Sequence, residues 1–150
     1  MKRFLTKTAV VSAAAVTAAL LPLAGTSHAA GSCYGAGCDN LGPVSYGCDL
    51  DAVTKKSVSD GTSTAELRWS AKCQAAWVRV KNPDGGYWWD RYGHIEKHNG
   101  YAGPLVRSLD VVIPNPGSDW SNMLGGSGYY YRVCISNIGD PSDVSCSGYW

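Results

Sequence analysis

In the stretch TAELRWSAKCQAAWVRV, residues 64 to 80, Leu67 and Trp69 alternate with Glu66 and Arg68. A period of two marks a strand with one face buried and one face wet. After the polar connector SAKCQ the pattern resumes with Ala75 and Trp77, then Val78 and Val80, so the stretch predicts a hairpin. NPDGG at 82 to 86 is a turn, with Pro83 and Asp84-Gly85 supplying its geometry. GYWWDRYGHI, residues 86 to 95, predicts a third strand, rich in the aromatic residues that favour sheets. Leu105 to Ile113 predicts a fourth, stopped by PNPG; Tyr129 to Ile135 a fifth; and Ser145 to Trp150 a terminal one. Ala52 to Val58 reads as a strand or a short helix. Residues 30 to 48 are Gly-rich and carry three cysteines, which predicts an irregular loop held by staples. No segment of this region shows a convincing 3.6-residue period. Short strands at this spacing predict an all-β fold, a small antiparallel sandwich or barrel with an irregular Gly/Cys-rich N-terminal loop.

One segment departs from this pattern. MKRFLTK leads into TAVVSAAAVTAALLPLAG, which carries no charge, and then into TSHAA. A basic start, an apolar middle and a small-residue end predict a secretory signal over residues 1–29, cut after Ala29 with Ser27 at the −3 position. A run of about 18 residues dominated by alanine would only just span a bilayer, which disfavours an uncleaved anchor. Lys2-Arg3 is not a twin-arginine pair, so the general export route is expected. Residues 30–150 then form a single domain, secreted and extracellular.

Compartment decides what the cysteines mean. All six (Cys33, Cys38, Cys48, Cys73, Cys134 and Cys146) fall after the signal. An even set in an exported chain predicts a disulfide framework, and no C-x2-C pair is present to nucleate a zinc site instead. Six cysteines allow 15 pairings, and the sequence does not choose among them. The pairing expected is Cys33–Cys38, Cys48–Cys73 and Cys134–Cys146: two local staples, and one tying the N-terminal loop to the hairpin. Charge adds little. With Lys2, Arg3 and Lys7 removed, ten Lys and Arg face twelve acids, a net of −2, scattered singly. Nothing here forms a basic stripe for nucleic acid or a basic amphipathic helix for a membrane.

CYGAGC, the proline that follows it, GCDLDAVT and AELRWSAKCQAAWVRV together resemble the YjfA-like family of small secreted proteins common in actinobacteria, known largely as a domain of unknown function. The likeness runs from Cys33 to Val80 and returns faintly at YRVCIS and SCSGYW; between Lys81 and Gly128 none is evident. Its fixed positions are cysteines, a hairpin and core aromatics, so it marks a scaffold. Family members are similar to adaptor subunits of secreted toxin particles, which join a lectin-like subunit to a long repeat-bearing toxin chain. The resemblance therefore implies a protein–protein adaptor in an extracellular antibacterial complex.

Catalytic chemistry finds little purchase. HIEKH at 94 to 98 spaces two histidines four apart, but Glu96 is not placed as in H-E-x-x-H. On a strand the two would stand roughly 13 Å apart, too far to share an ion, so a solvated strand end is expected. Asp90, Glu96, Asp110 and Asp119 are single acids near turns, and GGSG at 125 to 128 is no nucleophile elbow. No enzyme, cofactor or metal is expected.

The aromatics carry more. Tyr87, Trp88 and Trp89 are consecutive, so on a strand Trp88 faces away from its neighbours; Tyr129, Tyr130 and Tyr131 repeat the situation. The chain holds more rings than one small core needs, which predicts a binding surface that includes Tyr87, Trp88, Trp89 and Tyr130, with Trp88 expected on the exposed side. Trp and Tyr serve as anchors at protein interfaces. The expected function is a protein-binding module whose partner is another secreted protein, a lectin-like or toxin subunit. A glycan-binding module is the alternative, and a protease inhibitor presenting the stapled loop is third.

Overall fold

The computed structural model describes residues 32–83, 90–138 and 140–150, and of Pro141 the backbone alone. Two single turns of 3-10 helix, Gly35–Cys38 and Cys48–Asp51, come first. The strands that follow are β1 (Val53–Asp60), β2 (Ser63–Ser70), β3 (Ala75–Asn82), β4 (Arg91–His98), β5 (Leu105–Ile113), β6 (Gly117–Trp120), β7 (Leu124–Gly125), β8 (Tyr130–Asn137) and β9 (Asp140–Cys146). Sheet A runs β1-β2-β3-β6, with the two-residue β7 pairing the start of β3; sheet B runs β5-β4-β8-β9. Every pairing is antiparallel, and the two sheets pack face to face as a sandwich. Among the described residues no helix is long and apolar enough to cross a membrane.

The alternation legible in the sequence positions the core. Ala65, Leu67 and Trp69 of β2 and Ala76, Val78 and Val80 of β3 point inward against Ile95 of β4, Ile113 of β5, and Tyr131, Val133 and Ile135 of β8. Gly93 lies where the sheets come closest. A Cβ there would stand 2.3 Å from Cγ2 of Val80, so only glycine lets β4 approach β3 at this point.

Sheet A is covered on its other face too. Trp77 and Ala75 point away from the main core into a second cluster with Cys38, Cys48, Cys73 and Met123. The N-terminal segment lies over this face, held by Cys33–Cys38 and by Cys48–Cys73, which ties it to the β2–β3 connector; Cys134–Cys146 staples β8 to β9. Burial on both faces explains why the sequence loses its clean alternation at AAWV. Trp77 is therefore core, but of the second cluster.

Two cations sit on inner positions of sheet B, one toward each end of β4. Fully buried Arg91 donates to Oδ2 of Asp60, to Oδ1 of Asn137 and, 3.1 Å away, to Oγ of Ser63, joining the β1–β2 turn to sheet B. Lys97 donates to the Gly125 carbonyl and places its ammonium 4.1 Å from the Tyr129 ring centroid.

Several sequence expectations need correction. The segment over residues 30 to 48 is not wholly irregular, since Gly35–Cys38 coils into a 3-10 turn. The third strand begins at Arg91 and runs to His98, while Asp84–Trp89, including most of the NPDGG turn, lies outside the described residues. Of the two readings of Ala52 to Val58 the strand holds, over Val53–Asp60, with Ala52 capping the preceding 3-10 turn. The last strand is Asp140–Cys146, not Ser145 to Trp150; its register is fixed by Cys134 facing Cys146. Beyond it, Trp150 still exchanges both backbone hydrogen bonds with Tyr131, each 3.0 Å. The short β6 and β7 carry too few residues for a period to register in the sequence.

Candidate functional site: the tyrosine-bearing face of sheet B

The outer face of sheet B is built from the residues between the core positions. On β4 these are Tyr92, His94, Glu96 and His98; on β8 they are Tyr130, Arg132, Cys134 and Ser136. Glu96 is the hub. Its carboxylate accepts from Nε2 of His94 (3.2 Å), Nε2 of His98 (2.7 Å) and Nε of Arg132 (2.6 Å). Partial burial works to raise its pKa, but these three hydrogen bonds and the Arg132 charge prevail and hold it down at about 2. The same pairing raises Arg132. His98 is only 6% exposed, and its other nitrogen, Nδ1, lies 2.8 Å from the Gly103 carbonyl. Each ring nitrogen thus faces an oxygen, one on the Gly103 carbonyl and one on the Glu96 carboxylate. The expected solvated strand end is thus a fixed network, because strand periodicity puts His94, Glu96 and His98 on one face with Arg132 across from Glu96.

Aromatic rings close over one end of this network. Tyr149 packs edge-on to His98 at 5.0 Å and over the Arg132 guanidinium at 5.1 Å. Tyr101 meets Tyr149 at 5.4 Å and Tyr130 at 5.8 Å. Tyr101 is 72% exposed and Tyr130 38%, so the cluster presents ring surface to solvent from a rigid base. At the other end of β4, a cleft of about 400 Å³ is lined by Tyr92, His94, Ser136, Asn137, Ile138 and Val144. Burial and a hydrogen bond to Asp110 push the Tyr92 phenol up to about 12.

The charged groups of this arrangement are engaged with one another. Glu96 is ionised and fully engaged, so it has no proton to give at neutral pH. His94, Glu96 and Cys134 lie close enough to suggest a metal site, but the Cys134 sulfur is bonded to Cys146 and Glu96 is held by Arg132. The carboxylates weighed in the sequence do not converge. Asp119 lies on β6 of sheet A, Asp110 binds Tyr92, and Asp90 accepts from the Asn115 amide at 3.3 Å.

Of the expected partner-binding residues, Tyr130 is on this face and exposed, whereas Tyr87, Trp88 and Trp89 lie outside the described residues. The six cysteines are paired as expected. Sequence reasoning missed Arg132, Tyr101 and Tyr149, and it gave Glu96 no role. The i, i+2, i+4 spacing of His94, Glu96 and His98 was a usable signal once read on a strand. Tyr101 and Tyr149 come from segments without periodicity and gave none.

Comparison with known families finds a match to a family described as "Protein of unknown function (DUF2690)", over residues 36–124. No curated protein and no solved structure matches. The matched span extends well past Val80, through β4, β5 and β6, where the sequence showed no likeness to the eye, and it stops before YRVCIS. It includes Glu96 and Tyr101 and leaves out Tyr130, Arg132 and Tyr149. Covering more than half of the sequence, the match establishes that the chain belongs to this family of proteins of unknown function.

Proposed function

We propose that the protein is a secreted, non-catalytic protein-binding module, and that the tyrosine cluster of sheet B is where its partner docks. The observation that carries this reading is the exposed Tyr101–Tyr130–Tyr149 cluster seated on the Glu96–Arg132–His98 network. Tyr and Arg are the residue types enriched at protein interfaces, and rings held by a fixed base lose little entropy on binding. Glu96 and Arg132 neutralise each other, so the patch suits another protein with an aromatic or apolar centre and a polar rim. Secretion is supported by the signal-like start and by three disulfides. The resemblance to toxin-particle adaptors makes a lectin-like or toxin subunit the partner to try first.

The test is capture of a partner from the producer's culture medium by tagged protein and by its Tyr101→Ala and Tyr130→Ala variants. Stoichiometric capture weakened by about 2 kcal/mol or more in either variant, with melting temperature unchanged, supports the reading. Capture indifferent to both variants removes this face from consideration.

Glycan binding has its own supporting observation. A hollow of about 220 Å³ at the edge of the core is walled by Trp69, Tyr129, Tyr131 and Trp150, with Gly126, Ser127 and Gly128 at its lip. Binding competed by free oligosaccharide and abolished by Trp150→Ala would favour this reading over the first. The stapled loop is a weaker candidate for a protease inhibitor, since Cys38 and Leu41 pack inward in the second cluster instead of projecting.

A further inference from the structure

The sequence contains no C-x2-C pair, yet the fold gathers four cysteines from two distant segments. The Sγ atoms of Cys33, Cys38, Cys48 and Cys73 all lie within 4.8 Å of one another. Those of Cys33 and Cys48, which belong to different disulfides, are 3.8 Å apart. Four thiolates around a tetrahedral zinc ion, each Zn–S bond about 2.3 Å, stand a little under 4 Å from one another. The cross-disulfide contact already has that spacing, and the two bonded pairs would have to part to reach it.

We propose that these four cysteines form an interchangeable staple: two disulfides when oxidised, and a tetrathiolate site for Zn²⁺ when reduced. A dithiol or phosphine reductant gives two electrons to each S–S bond, and with four protons taken up this yields four thiols. Zn²⁺ then displaces those four protons as four Zn–S bonds form. An oxidant that withdraws four electrons restores both disulfides and releases the ion.

The surroundings suit both states. Trp77, Met123, Leu41 and Tyr46 shield the cluster, while a cleft lined by Cys33, Cys73, Tyr34, Leu50 and Lys72 gives access to it and brings a cation to its rim. The connector carrying Cys73 is held independently of the sulfurs. Asp51 accepts from the Lys72 amide (2.8 Å) and from Ser70, whose Oγ in turn accepts from the Cys73 amide (3.0 Å). The main core contains none of these four cysteines, so opening both disulfides leaves its contacts in place.

The experiment is alkylation mapping. The protein is reduced with a metal-free phosphine, incubated with or without one equivalent of Zn²⁺, treated with iodoacetamide and mapped by mass spectrometry. The expected result is zinc-dependent loss of alkylation at Cys33, Cys38, Cys48 and Cys73, with Cys134 and Cys146 still reactive. Co²⁺ in place of Zn²⁺ should give the visible absorption of a tetrahedral thiolate site at one ion per chain, abolished in Cys33→Ser and retained in the double variant Cys134→Ser/Cys146→Ser. Protection that is absent, or that includes Cys134 and Cys146 equally, overturns the proposal, as does a cobalt spectrum indifferent to Cys33.

Discussion

Trp77 and Arg79 are two residues apart on β3 and share the outer face of sheet A, yet their substitution should have very different consequences. Trp77 is enclosed by the disulfide-held N-terminal segment, so Trp77→Ala opens a cavity that the staples prevent from collapsing. The expected loss is about 3–5 kcal/mol in chemical denaturation. Arg79 lies at the margin of that segment and pairs with Glu66, its Nε 2.7 Å from Oε2, while Lys81 holds the other oxygen of the same carboxylate at 2.8 Å. Burial opposes ionisation of Glu66, but the hydrogen bonds from Lys81 and Arg79 outweigh it and lower its pKa. Because Lys81 remains and the pair is partly wet, Arg79→Ala should cost less than about 1 kcal/mol. A Trp77→Ala variant that keeps its denaturation midpoint but loses a partner would make Trp77 an interface residue.

At the scale of elements, β4 and β8 are joined by a polar seam as well as by their ladder. Glu96 on β4 holds Arg132 on β8, His94 and His98 on its own strand, and through His98 the loop at Gly103. Its pKa falls from the ordinary 4.5 to about 2 on folding. The unfolded chain therefore binds a proton here more readily than the folded one. The stability this contributes is complete above the unfolded value and is lost as pH drops through the window from 4.5 toward 2. Melting temperature should fall with acidification across that window, and Glu96→Gln should flatten the fall while lowering stability at pH 7. An equally steep acid limb in Glu96→Gln would assign it to other carboxylates.

For the whole molecule, the two sheets are clasped by charge as well as by apolar packing. Arg91 is fully buried and its counter-ion Asp60 reaches it from the turn of the opposite sheet, with Asn137 and Ser63 also accepting from it. Removing one partner of such a pair strands a charge, whereas removing both leaves only a packing defect. Asp60→Asn should cost about 3–5 kcal/mol by urea denaturation. Asp60→Asn combined with Arg91→Met should recover part of that loss. If the double variant loses as much as both singles added, the pair acts through packing alone.

Composition and pattern by themselves determined the class of this protein. Alternation at Leu67 and Trp69, turn residues at regular intervals and the absence of a helical period leave an antiparallel β fold, because a period of two buries one face only in a sheet. Six cysteines after an export-like start pointed to disulfide staples, while the choice among their 15 pairings is made by the folded structure. Tertiary structure decided what no local pattern encodes. The double burial of β3 depends on a segment that folds back over sheet A, so Trp77 and Trp69 look alike in sequence and serve different cores. The tyrosine face depends on Tyr101 and Tyr149 arriving from segments of no regular period. Glu96 becomes a hub only when β8 brings Arg132 beside it, and the four-sulfur cluster exists only once residues 33–48 dock on the hairpin. Strand periodicity is a property of neighbours in the chain. Sites are made by residues far apart in sequence, and their meeting is fixed by sheet order and register, which a single sequence does not display.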